Sequence, residues 1–169
     1  MIRVQAEDFD VGAELAAMAA GDHGVGAVAS FVGLVRATDG DTRIEAMTLE
    51  HYPGMTERML ERIEDEARAR WRLAASLIIH RVGRLAPGER IVLVATASAH
   101  RQDALDACAF LIDWLKTKAP FWKLEEGGGD ARWVEARDGD DTAAAKWERA
   151  RPSAVALEGS TFALKEREY

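Results

Sequence analysis

Pro120 fixes where a helix has to stop. Upstream of it Ala104, Leu105, Cys108, Leu111, Ile112 and Leu115 recur at helical spacing. A proline cannot extend that helix, because it lacks the amide donor and its ring clashes with the preceding turn. The break falls inside Leu115-Lys116-Thr117-Lys118-Ala119-Pro120-Phe121-Trp122-Lys123, so lysines flank a rigid stop and an aromatic pair. The pattern predicts Lys116 in the last helical turn and Lys123 in a strand that Phe121 and Trp122 begin. Cations also suit a helix C-terminus, where they meet the partial negative charge of unpaired carbonyls, and this accounts for Lys118. Lys116 and Lys123 are read instead as acid/base candidates, since two amines held near apolar surface depress each other's pKa.

A chain of 169 residues, 48% of them apolar, is long enough for one domain with a proper core and short for two. Its formal charge of −7 argues against a general nucleic-acid binder, which needs a basic domain or stripe, and makes any local basic cluster more informative. The single cysteine, Cys108, lies on the apolar helical stripe and reads as a small buried hydrophobe, excluding an internal disulfide or a cysteine-based metal cage. The first eight residues carry no apolar core of signal-peptide type, and the longest nearly apolar run, residues 91–99, is far short of a membrane span. The expectation is a cytoplasmic protein.

Residues 2–6 read as a short strand, and residues 11–20 as a helix closed by Gly21. The run 27–36 reads as a central strand that delivers Arg36 to its end, ahead of a polar loop. Ile44, Met47 and Leu49 belong to a further strand. Pro53 then suits a helix start, with Met55, Met59, Ile63 and Ala67 on one face and the pairs Glu64/Arg68 and Glu66/Arg70 on a solvated one. Residues 76–85 and 90–97 read as two antiparallel strands joined by a tight turn at Pro87-Gly88. His80, inside the first of them, reads as a satisfied core histidine, and His23 as a loop residue without function. Ser98 is the expected N-cap of the long helix. There His100 and Arg101 add cationic side chains to free amides, a combination that suits phosphate or carboxylate; an ordinary capped start with an exposed arginine fits the same residues equally well. Residues 126–130 should turn a hairpin into 132–137, residues 140–147 form a short helix, and the chain from 151 onward is expected to be loosely held.

Several long motifs carry a resemblance. Thr48-Leu49-Glu50-His51-Tyr52-Pro53-Gly54-Met55, Ser98-Ala99-His100-Arg101, the stretch from Leu115 to Lys123, and Trp133-Val134-Glu135-Ala136-Arg137 resemble, in order and spacing, the large catalytic subunit family of molybdopterin synthase. The resemblance covers roughly residues 2–147. The domain is therefore placed at 1–147, with 148–169 a C-terminal extension outside it.

The resemblance implies an α+β hammerhead-type fold with a mostly antiparallel sheet and packed helices. It also implies a homodimer within a heterotetramer, each end holding a small ubiquitin-like sulfur carrier with a C-terminal Gly-Gly thiocarboxylate. The implied activity is transfer of sulfur to cyclic pyranopterin monophosphate, forming the dithiolene of molybdopterin, with no metal or cofactor at this step. Carried over by motif, Lys116 and Lys123 match the catalytic lysines, while Arg36, His100, Arg101 and Arg137 match substrate-binding positions. The division of acid and base roles between the two lysines stays open, as does a non-catalytic anion-binding or carrier-docking role for the chain. If residues 100–116 form one helix, a rise of ~1.5 Å per residue separates His100 from Lys116 by more than ~20 Å. A single pocket using both is therefore expected at a twofold interface between two copies.

Overall fold

The computed structural model describes residues 1–134 and 144–147. In chain order they form β1 (Ile2–Gln5), α1 (Val11–Ala19), β2 (Ala27–Leu34), β3 (Thr38–Asp39), β4 (Thr42–Arg43), β5 (Ala46–His51), α2 (Met55–Arg70), β6 (Ala75–Arg81), β7 (Gly83–Leu85), β8 (Arg90–Ser98), α3 (Arg101–Lys118), β9 (Phe121–Gly127) and β10 (Asp130–Val134). Residues 144–147 make one further helical turn.

Among the described residues two four-stranded sheets carry the architecture, in the orders β1-β6-β8-β2 and β10-β9-β5-β7, and β3 and β4 pair only with each other. The α+β class holds and the pairing is mostly antiparallel, with β1 and β6 parallel. The two middle strands of the first sheet, β6 and β8, are buried on both faces. Ile78, Val92 and Val94 face a core built with Leu60 and Ile63 of α2 and Phe110, Leu111 and Leu115 of α3. Leu77, Ile79, Leu93 and Ala95 point the other way, against Phe9 and the apolar side of α1. Covering on both sides explains why β6 and β8 read as continuous apolar runs rather than alternating ones. The second sheet buries one face, around Met47, Leu49 and Leu85 with Val35 and Ile44.

Five expectations need correction. The strand expected to be central, β2, is an edge strand among the described residues, paired there only with β8; an apolar β-branched run looks the same at an edge once a helix covers it. The run 76–85 is not one strand. It leaves the first sheet after Arg81 and enters the second at Gly83, whose φ of 88° is open to glycine without strain. On α2 the buried residues are Thr56, Leu60, Ile63 and Ala67, while Met55 is 40% exposed, so the inward face is rotated by about one residue. Its charged side is also less solvated than expected: the Arg70 guanidinium pairs with Glu66 at 2.8 Å and packs over the rings of Phe110 and Trp114. Finally, the N-cap of α3 is His100, which offers no side-chain cap bond. Ser98 is the last residue of β8, donating to the Arg72 carbonyl (2.8 Å) and accepting the His100 amide (3.3 Å).

Other expectations hold. The Pro87-Gly88 turn closes with the Glu89 amide on the Ala86 carbonyl (3.1 Å) and Gly88 at a φ of 88°. The β9–β10 hairpin turns on Gly128 and Gly129, both at positive φ, as a two-residue turn of this hand requires.

Candidate active site

The helix α3 ends where Pro120 dictates. Ala119 is already extended (φ −81°, ψ 130°), the conformation forced on a residue before proline, and its amide still reaches the Leu115 carbonyl at 3.2 Å. Thr56, fully buried at the start of α2, donates its hydroxyl to the Pro120 carbonyl (3.3 Å) and so ties the break to a second helix. The chain then enters β9 with Phe121 stacked on His80, ring centroids 3.7 Å apart and planes 13° from parallel. Phe121 is a packing residue, whereas Trp122 projects from the opposite face of β9 and is 47% exposed.

Lys116 lies in the last turn of α3 and is exposed. Among the described residues its amine holds no hydrogen bond or ion pair. Lys123 sits in β9 between Leu49 of β5 and Val134 of β10, with its side chain 27% exposed. Its amine lies 3.1 Å from Oε1 of Glu125, whose side chain is 4% exposed. This contact is an ion pair by distance without hydrogen-bond geometry, so Oε1 has no hydrogen-bond donor among the described residues. The other carboxylate oxygen accepts from Arg132 of β10 at 3.3 Å, and Arg132 also reaches Asp39, the partner of Arg36.

The structure therefore brings Arg36 and Lys123 into one connected cluster and leaves His100 and Arg101 elsewhere. The latter two, both exposed, stand at the N-terminal end of α3, roughly 24 Å along the axis from Lys116 at ~1.5 Å per residue. Arg137 lies outside the described residues. Sequence reading missed Glu125, Asp39 and Arg132. Part of the signal was present: alternation puts Lys123 and Glu125 on one face of β9, and a two-residue Gly128-Gly129 turn sets Arg132 opposite Glu125. The link to Asp39 has no local signature. Among the described residues no group of three or more His, Cys, Asp or Glu is placed to hold a metal ion. A concavity of about 530 Å³ is lined by Asp8, Phe9, Asp10, Val11, Gly12 and Arg90, and no candidate residue borders it.

Two titrating groups of the core are set by burial. The Cys108 thiol is pushed up to about 11, which leaves it inert at neutral pH. Burial pushes His80 down to about 4, against a hydrogen bond between Nδ1 and the Arg81 carbonyl (2.8 Å) that favours the charged form. The unfolded chain takes up a proton near pH 6.5 that the folded chain refuses until about pH 4. The stability linked to His80 is thus whole above pH 6.5 and declines from there down to pH 4. Between pH 7.5 and pH 5 the loss should reach about 2 kcal/mol. Urea unfolding of wild type and His80→Gln at both pH values checks this, and a parallel pH dependence in the variant would refute it.

The fold and the cluster together define an α+β protein with cationic side chains at both ends of an 18-residue helix, a class suited to anionic ligands. The chain belongs to the MoaE protein family, whose family model matches residues 4–118. The molybdopterin synthase catalytic subunit of Ralstonia nicotianae is 55% identical over 146 residues, 86% of this chain and 83% of that one. The solved structure of the molybdopterin biosynthesis MoaE protein from Burkholderia ambifaria is 51% identical, covers 88% of this chain and 97% of its own, and superposes with a TM-score of 0.76. A chain from the complex of subunits 1 and 2 of molybdopterin-converting factor from Helicobacter pylori, 22% identical, shares the fold over 80% of this chain and 91% of that one (TM-score 0.67).

Proposed function

We propose that this chain is the catalytic subunit of a molybdopterin synthase, a sulfurtransferase acting with a small ubiquitin-like carrier. The carrier's C-terminal Gly-Gly thiocarboxylate donates sulfur twice to cyclic pyranopterin monophosphate, forming the dithiolene of molybdopterin. What carries the reading is the pair of lysines set to either side of the Pro120 break in a chain of the MoaE family: Lys116 exposed at the helix end, Lys123 in β9 beside Glu125. The catalytic-subunit name of the Ralstonia nicotianae relative supports it.

In each transfer the thiocarboxylate sulfur forms a bond to a pterin side-chain carbon and an oxygen leaves that carbon. The acyl group of the carrier, now a thioester, is then taken by water, which leaves sulfur on the pterin and an ordinary carboxylate on the carrier. Lys116 serves as the main acid/base and stabilises charge that develops during attack and acyl transfer; Lys123 supports it or protonates the leaving oxygen. Arg36, Arg101, His100 and Arg137 hold the substrate, with free amides at the start of α3 adding to the attraction for its cyclic phosphate. A fixed pose removes much of the entropic cost of bringing thiocarboxylate and pterin together.

Because His100 and Arg101 stand at the far end of α3 from Lys116, the pocket is assembled at a twofold interface: one copy supplies the helix start, the other supplies Lys116 and Lys123. Two carriers on this dimer make the heterotetramer. The expected setting is the cytoplasm, and among the described residues no helix is long and apolar enough to cross a membrane. Mixing inactive Arg101→Ala and Lys116→Ala chains should regenerate one intact site per mixed dimer and recover up to about a quarter of wild-type activity, the statistical share when chains pair at random. No recovery from chains shown to exchange would place the whole site in one copy.

A further inference from the structure

A run of alternating charges connects Arg36, after β2, to Lys123 in the second sheet. Arg36 Nη2 donates to Asp39 Oδ1 at 3.0 Å, and Asp39 Oδ2 accepts from Arg132 Nη2 at 3.3 Å. The same arginine nitrogen reaches Glu125 Oε2 at 3.3 Å, and Glu125 Oε1 lies 3.1 Å from the Lys123 amine. Asp39 is therefore shared between two guanidiniums from different parts of the chain, and Arg132 between two carboxylates.

We propose that Asp39 and Arg132 are positioning residues: a relay that holds Arg36 in a set place relative to Lys123, so that an anionic substrate meets both cations already ordered. The proposal deepens the reading given under Proposed function and rests on it for the roles of Arg36 and Lys123. Three observations support it. First, Asp39 belongs to the β3–β4 hairpin, which among the described residues forms a sheet of its own with no ladder to β10; the Asp39–Arg132 contact bridges the two. Second, the Arg36 side chain is 56% exposed and would otherwise lose its rotamer freedom at the moment of binding. Third, Arg132 gives the buried Glu125 carboxylate a second cation, so that Lys123 is not its sole counterion. Arg132 is itself 56% exposed, and pairs so exposed add little to stability. The relay's consequence is placement.

The test joins a direct readout to a functional one. Nitrogen relaxation of the Arg36 guanidinium should report an ordered group in wild type and a mobile one in Asp39→Asn. It should also report a mobile one in Arg132→Ala, which removes no hydrogen-bond partner of Arg36 among the described residues. In steady-state assays both variants should raise KM for cyclic pyranopterin monophosphate ~5-fold or more. The double variant should be no worse than the poorer single one, as expected for residues acting in series. Thermal midpoints should stay near wild type, and Asp39→Glu should recover part of the loss. An Arg36 group already mobile in wild type, an Arg36 unmoved by Arg132→Ala, or strictly additive KM effects would each overturn the relay. An ordered, relay-dependent Arg36 in a protein that makes no product would instead uphold the relay's placement and remove the functional reading on which its use depends.

Discussion

Replacing Lys116 with alanine is expected to lower molybdopterin formation by about 10²–10⁴-fold, the range associated with loss of a positioned acid/base group. The assay is conversion of cyclic pyranopterin monophosphate by the purified chain mixed with a thiocarboxylated carrier. Carrier affinity and the thermal midpoint should change little, because Lys116 is exposed and its amine holds no hydrogen bond or ion pair among the described residues. Lys116→Arg separates two uses of the amine. A guanidinium keeps the charge that would attract a thiocarboxylate but does not give up a proton near neutral pH. Recovery with arginine therefore assigns Lys116 to charge stabilisation, and a second near-null variant assigns it to proton transfer. A loss confined to carrier or substrate binding, with turnover intact at saturation, would make this chain a binding module and would remove the catalytic role argued above.

The largest expected loss of stability is at Phe110. This side chain is wholly buried, with Trp71 at 5.4 Å, Trp114 at 4.5 Å and Trp147 at 5.7 Å between ring centroids, and the Arg70 guanidinium 4.8 Å above its ring. Truncation to alanine leaves a cavity against two helices and takes away the ring face over which a nearly buried cation is packed. The cost should be about 3–5 kcal/mol, enough to lower the thermal midpoint by roughly 6–20 °C. Gln102→Ala, on the exposed start of the same helix, should stay within about 0.5 kcal/mol of wild type. Equal effects from the two would mean that the aromatic cluster does not anchor α3. The two experiments are complementary. Lys116→Ala removes chemistry from an intact helix, whereas Phe110→Ala loosens the helix that carries Lys116.

Legibility of this structure in its sequence follows the range of the forces involved. Pro120 and the Pro87-Gly88 turn act over a few residues and placed their boundaries correctly, and the run of glycines located the hairpin, whose turn is tighter and whose return strand starts two residues earlier than expected. The Glu64/Arg68 and Glu66/Arg70 pairs are likewise local and both form. What failed depends on what lies across the fold. Whether β2 is central or marginal is decided by the strands beside it, and its composition fits either place. The passage from β6 into β7 has no punctuation except Gly83. Arg70 looked like a surface cation because nothing within α2 announces the aromatic rings of α3. The placement of Lys116 in the last helical turn and of Lys123 in the following strand was legible from the proline break. The Asp39–Arg132 contact, by contrast, joins residues far apart in sequence and emerged only with the sheets in place. Residues 135–143 and 148–169, which include Arg137 and the expected C-terminal extension, lie outside the described structure.

The order of strands in the first sheet has a consequence for synthesis on the ribosome. Its first two members, β1 and β2, acquire no ladder partner until β6 and β8 have been made. At ~5–20 residues per second the stretch from Leu34 to Ser98 takes roughly 3–13 s to translate. During that interval Val28, Phe31 and Val32 belong to a strand with neither edge satisfied. Sheet closure of this kind is slow because distant segments must meet before any contact rewards them. The nascent chain therefore passes through a period in which a holding chaperone has a defined target, and that period ends when the end of β8 leaves the exit tunnel.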